Sequence, residues 1–145
     1  MPTYPALVLS STNDHASDGN IELTAEERLK TIVSWQNNEG EVIYLRFSRG
    51  NRLRAGDFIQ IPDLSIVLQV IARAELVLTI TAMDHRSLIR AAYHLGNRHV
   101  PLEIGASWLR LHPDPVIEQM LLDMDLTITR ETVPFFPETG AYHHH

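Results

Sequence analysis

The chain has 145 residues, is 44% hydrophobic and 21% charged, and carries a formal net charge of −6. That length suits one large domain or two small ones, the composition is that of a folded protein, and the acidic balance argues against a nucleic-acid footprint. The absence of cysteine removes disulfides, thiolate zinc sites and cysteine nucleophiles, and it favours a cytoplasmic location.

No apolar run approaches the ~20 residues that span a bilayer, and the start, MPTYPALVLSST, lacks the basic segment of a secretory signal. ALVLS (6–10) reads as a short strand, followed by a polar loop. In LTAEERLK (23–30), Thr24 and Glu27 have the spacing of a capping box, so the segment is a short helix or a turn. TIVSWQ and EVIYLRF are strands on either side of the turn residues Asn37 to Gly40. SRGNRLRAGD marks tight turns, and DFIQI and SIVLQVIAR are further strands parted by Pro62-Asp63. Short strands at this spacing predict a small sandwich or barrel.

The second half alternates. ELVLTIT (75–81) is a strand. Residues 84–95 form a helix capped by Asp84, with Leu88, Ala91, Ala92 and Leu95 on one face and Gly96 in the left-handed position that stops it. VPLEI and WLRLH are strands. Asp114 caps a second helix with Pro115 at its first position and an apolar stripe of Val116, Ile117, Met120, Leu121 and Met124. LTITRETV is the last strand. The order β-α-β-β-α-β is the ferredoxin-like, split-βαβ pattern. The expected class is therefore α+β. An N-terminal β domain spans 1–74, a ferredoxin-like domain 75–136 and a flexible tail 137–145.

Seven of the eight histidines lie beyond residue 74. An acidic, cysteine-free, histidine-rich half is a plausible host for a borderline divalent cation, because imidazole suits Ni, Cu and Zn. His94 sits in the last helical turn, where the helix dipole favours a cation. His15, His85 and His112 read as solvated. His99 lies past the helix stop, and nothing local accounts for it. In an extended segment Glu103 shares its face, either as an acceptor that fixes the imidazole or as a solvated carboxylate. Arg46, Arg49, Arg52 and Arg54 form a basic cluster around Gly50, which reads as a solvated hairpin or as a docking site for an acidic surface. Trp35 and Trp108 read as core or interface anchors. The chain has no HExxH, P-loop, GxSxG or GxGxxG.

The segment AAYHLGNRHVPLEI (91–104), with LTAEER, SRGNRLRAGD and the ending PFFPETGAY before histidines, resembles the urease accessory protein E family of nickel metallochaperones over most of the chain. The resemblance implies an N-terminal domain of peptide-binding type joined to a ferredoxin-like metal-binding domain. It also implies a homodimer whose two-fold brings together the histidine of GNRH, His99 here. A two-fold axis doubles every ligand, and a site with few nitrogen donors can release its ion later. The tail histidines His143, His144 and His145 resemble the His-ended tails of relatives, and they are expected to complete the site; a purification remnant is the alternative. Imidazole binds metal only as the neutral base, so capture by the tail is expected to fade below about pH 6.5. The implied partners are a second copy, the urease accessory GTPase, and apo-urease with its other accessory proteins. The implied cargo is Ni(II), with Zn(II) or Cu(II) also accepted. One departure stands out: LHPDPV (111–116) has Pro113 and Pro115 where some members carry histidines, which puts an auxiliary site there in doubt. Two rival readings are a metal-dependent hydrolase using His99 and Glu103 and a scaffold whose histidines are incidental.

Overall fold

The computed structural model describes residues 2–9 and 16–138. The chain is α+β and forms two compact units, Met1–Arg73 and Ala74–His145.

Among its described residues the first unit has seven strands: β1 (Thr3–Pro5), β2 (Leu7–Leu9), β3 (Gly19–Leu23), β4 (Ile32–Gln36), β5 (Val42–Arg46), β6 (Phe58–Ile61) and β7 (Ile66–Ala72). They make two sheets, ordered β1-β5-β4 and β2-β6-β7-β3. The segment expected as one strand at 6–10 is interrupted at its start. Buried Ala6 donates its N–H to the Arg46 carbonyl (2.9 Å), and the chain passes there from the first sheet to the second. Alternating apolar residues from both sheets, among them Val33, Leu45, Ile59, Ile61, Leu68 and Val70, share one core, the arrangement expected when each sheet has one apolar face.

Of the two readings of LTAEERLK, the turn is the one realised. Glu27–Leu29 form a single 3-10 turn. The capping box is reciprocal: Thr24 N–H donates to Glu27 Oε1 (2.9 Å) and Glu27 N–H to Thr24 Oγ1 (3.2 Å).

The second unit runs β8 (Ala74–Thr81), α1 (His85–Asn97), β9 (Glu103–Ile104), β10 (Leu109–Leu111), α2 (Pro115–Asp123) and β11 (Thr127–Pro134). Its sheet order is β11-β8-β10-β9 with every pairing antiparallel, which is the split-βαβ topology expected from the element order. Leu78 and Ile80 of β8 and Leu109 and Leu111 of β10 point to the helical layer. They meet Leu88, Ala91 and Leu95 of α1 and Ile117 and Leu121 of α2. Val116, expected in the α2 stripe, is 71% exposed. It stands in the first helical turn, and the stripe that reaches the sheet is carried by Ile117 and Leu121.

The opposite face of the sheet carries a line of polar contacts. Arg110 donates through Nε to Thr79 Oγ1 (3.1 Å), and its guanidinium lies 4.1 Å from the Trp108 ring centroid. Gly105 is required by that tryptophan, because a Cβ there would fall 2.2 Å from the indole. Among the described residues, no helix is long and apolar enough to cross a membrane.

Candidate metal-binding site

Helix α1 starts as expected. The Asp84 carboxylate accepts the Ser87 N–H (2.7 Å). That hydrogen bond, a second from the Ser87 side chain and the nearby Arg86 charge hold the Asp84 carboxyl below its ordinary value of 3.8, against a weaker upward push from burial.

The helix does not stop where the glycine stands. It continues through Gly96 to Asn97, and the left-handed residue is His99, with φ of 57°. His99 N–H donates to the Gly96 carbonyl (3.0 Å) and Val100 N–H to the Leu95 carbonyl (3.1 Å). Those two bonds, one spanning three residues and one spanning five, define a Schellman ending with His99 at C′. Val100 and Leu95 both belong to the apolar core, which supplies the hydrophobic contact that accompanies this motif. Gly96 suits a stop by conformational freedom alone, because it lacks a Cβ. Packing decides otherwise, because a stop at Gly96 would put polar Asn97 where an apolar residue is needed.

His99 is therefore held by backbone on both sides, and the residue is exposed. A left-handed conformation in a residue other than glycine costs on the order of 1 kcal/mol and persists where its surroundings over-determine it, commonly at functional positions. The last carbonyls of α1 also place the negative end of the helix dipole beside this imidazole, a field that favours a cation.

The other histidines have different settings. His94 is exposed and meets the Tyr93 ring edge-on, centroids 5.4 Å apart. His85 is exposed at the start of α1. His112, expected to be solvated, is half-buried. Its Nε2 lies 2.6 Å from Glu75 Oε1, and its ring packs edge-on to buried Phe135 at 4.6 Å. His15, His143, His144 and His145 lie outside the described residues. Glu103 takes a role that neither of its expected readings included: Oε1 accepts the Phe136 N–H at 3.0 Å. That contact joins residues 33 positions apart, so no local pattern signals it. Among the described residues, no three His, Asp or Glu side chains converge on a metal-sized site. Of the two tryptophans, Trp35 packs against the first unit's core, and Trp108 stacks with Arg110. Arg46, Arg49 and Arg54 are exposed around the Gly50 turn.

Comparison with known proteins covers both units. Residues 5–72 match the model of the N-terminal domain of the UreE urease accessory protein, and residues 75–145 match that of its C-terminal domain. The chain is 48% identical to the urease accessory protein UreE of Nostoc sp. over 123 residues, which cover 85% of this chain and 84% of that protein. It is 45% identical to the protein of the same name from Thermosynechococcus vestitus over 132 residues, covering 91% and 92%. The protein of that name from Pseudomonas putida is 38% identical over 134 residues, covering 92% and 81%. With both family models matched and such relatives covered over most of their length, the chain belongs to the UreE urease accessory protein family, a family of accessory proteins and not of enzymes.

Proposed function

We propose that this chain is a cytoplasmic nickel metallochaperone of urease maturation. It captures Ni(II) through His99 from the two chains of a homodimer, with His143, His144 and His145 of the tail as additional donors. It passes the ion to the urease accessory GTPase and the apo-urease assembly by ligand exchange, without covalent chemistry. The single observation that carries this reading is the placement of His99. An imidazole occupies the strained, exposed C′ position of a rigid helix end, where glycine would fit more easily.

One such imidazole is a weak site, and the described part of one chain brings no third ligand to it. A second copy and the tail supply the missing donors, and a site assembled in this way holds nickel without caging it. Imidazole donors also accept Zn(II) and Cu(II), so nickel preference arises from supply and partner as much as from the site. The hydrolase alternative needs a carboxylate at the ion. Glu103 is instead engaged by the Phe136 backbone.

The test is calorimetric titration of Ni(II) into the intact chain, the His99→Asn variant and a chain ending at Tyr142. Asparagine tolerates the left-handed conformation, so a loss of binding is not a loss of fold. The expected result is about one tight ion per dimer, abolished in His99→Asn and weakened by the truncation. Unchanged binding in His99→Asn would refute the assignment.

A further inference from the structure

The loop that follows β5 gathers positive charge in an acidic protein. Residues 46–54 hold four arginines, Arg46, Arg49, Arg52 and Arg54, and no carboxylate, while the formal net charge of the chain is −6, so the other residues sum to −10. Arg46, Arg49 and Arg54 are exposed and Arg52 is half-buried. Elsewhere arginines meet carboxylates: Arg73 lies 3.7 Å from Glu27, Arg110 3.9 Å from Glu131 and Arg130 2.9 Å from Glu118. Among the described residues, no ion pair takes in Arg46, Arg49 or Arg54. Asp57, the next acid along the chain, is buried, and its Oδ2 accepts the Arg54 backbone N–H (2.7 Å). Asn51 Nδ2 is buried without an acceptor. The loop is rich in donors and short of acceptors.

The loop is also held. Phe47 and Leu53, on either side of the turn, are buried in the first unit's core. Phe47 N–H donates to the Thr31 carbonyl (2.6 Å), Leu53 N–H to the Arg28 carbonyl (2.9 Å) and Asn51 N–H to the Ser48 carbonyl (3.3 Å), with Gly50 in the turn at φ 74°. Arg49 and Arg54 are five positions apart, so their Cα atoms are within about 17 Å of each other. A backbone fixed in this way loses little entropy on binding, and guanidinium forks grip carboxylates with two hydrogen bonds.

We propose that this loop is a docking surface for an acidic segment of a protein partner, whose carboxylates Arg46, Arg49 and Arg54 grip. Two observations favour protein carboxylates over a nucleic acid. The one aromatic residue of the loop, Phe47, is buried and offers no ring for base stacking. The −10 carried by the rest of the chain repels a long polyanion, whereas a short acidic segment meets the loop alone. The surface belongs to the first unit and does not depend on His99 being a nickel ligand.

The probe is a capped hexaglutamate peptide, titrated at low ionic strength into the full chain labelled with nitrogen-15 and followed by amide shifts. Shifts should concentrate at residues 46–54 and fade with added salt. Arg49→Glu combined with Arg54→Glu should weaken binding by about 10-fold or more. Arg86→Glu combined with Arg90→Glu makes the same charge change on exposed arginines of α1 and should weaken it by no more than roughly 3-fold. Arg49→Lys combined with Arg54→Lys keeps the charge and removes the forks, for a loss of roughly 2- to 5-fold. The same spectra show whether each variant is folded, and the lysine variant decides the matter if the reversed one is not. No binding, shifts centred outside 46–54, equal losses in the two reversed variants, full affinity with lysine, or tighter binding of hexathymidylate would overturn the proposal. So would a change in mass by light scattering when Arg49 and Arg54 are reversed without peptide, since the arginines would then join copies of this chain.

Discussion

Helices α1 and α2 of the second unit end in the same backbone motif and differ in the residue placed at its strained position. In α1 the C′ residue is His99 (φ 57°), with Val100 N–H on the Leu95 carbonyl. In α2 it is Asp125 (φ 61°), with Leu126 N–H on the Leu121 carbonyl (3.2 Å) and Asp125 N–H on the Leu122 carbonyl (3.0 Å). Neither end uses glycine, although a glycine stands three residues before His99. Each apolar pair five residues apart, Leu95 with Val100 and Leu121 with Leu126, lies in one core. The lesson is that burial of this pair sets the stop, and the residue before its second member must take the left-handed conformation whatever it is. Geometry is then common to both ends, and side-chain chemistry is what separates them. Asp125 offers a lone carboxylate and His99 a nitrogen donor.

The largest effect should come from the pair itself. Leu95 and Leu121 are both fully buried. Leu95→Ala and Leu121→Ala should each lose about 2–5 kcal/mol in denaturant unfolding. A much smaller loss at one end would mean that its stop is not set by packing.

The N-terminal ends extend the comparison. Asp114 accepts from Val116 N–H (2.9 Å) and Ile117 N–H (3.2 Å), so Asp114→Ala should cost about 0.5–2 kcal/mol. Asp84 caps α1 with a carboxyl held below its ordinary value of 3.8. The sign follows from that direction. Its contribution to stability is complete above 3.8 and is lost as pH falls through the depressed native value. Acid titration of Asp84→Asn against the parent should show the two stability curves converging only in that acid range.

Much of this unit was legible because its rules are local. The caps at Asp84 and Asp114, the apolar helix faces and the order of strands and helices follow from period and from turn chemistry. The glycine rule misplaced the α1 stop, since it weighs only conformational freedom at one residue. Weighing the i, i+5 apolar pair as well would have found His99. The contacts made by the segment after β11 and by the ends of β8 and β10 were not legible at all. Glu103 and Phe136, His112 and Glu75, and Glu138 and Leu102 are joined by topology, and no spacing along the chain encodes those meetings. The same holds in the first unit, where the sheet change at Ala6 depends on a partner at Arg46.

Gly96 gives a sharper test of the glycine argument. It is helical, and a Cβ added there would meet nothing within 4 Å. Gly96→Ala should therefore stabilise the protein by about 0.5–1 kcal/mol, read as a higher denaturation midpoint. A loss would mean that Gly96 does need glycine's conformational freedom.

The finest distinction is between His99→Gly and Asp125→Gly. Both substitutions place glycine in a left-handed position and relieve the Cβ strain, while adding some freedom to the unfolded chain. The net gain should be a few tenths of a kcal/mol and at most about 1 kcal/mol at either end. Stability alone thus treats the two residues alike. Nickel titration on the same two proteins should separate them: His99→Gly should lose the tight ion and Asp125→Gly should keep it. A variant that is no less stable and yet no longer binds nickel cannot be explained by damage to the fold, so the pair tests whether α1 carries its strain for the sake of the imidazole. If Asp125→Gly loses the ion as well, the carboxylate at the other helix end belongs to the site. If neither does, the left-handed histidine is only a helix stop.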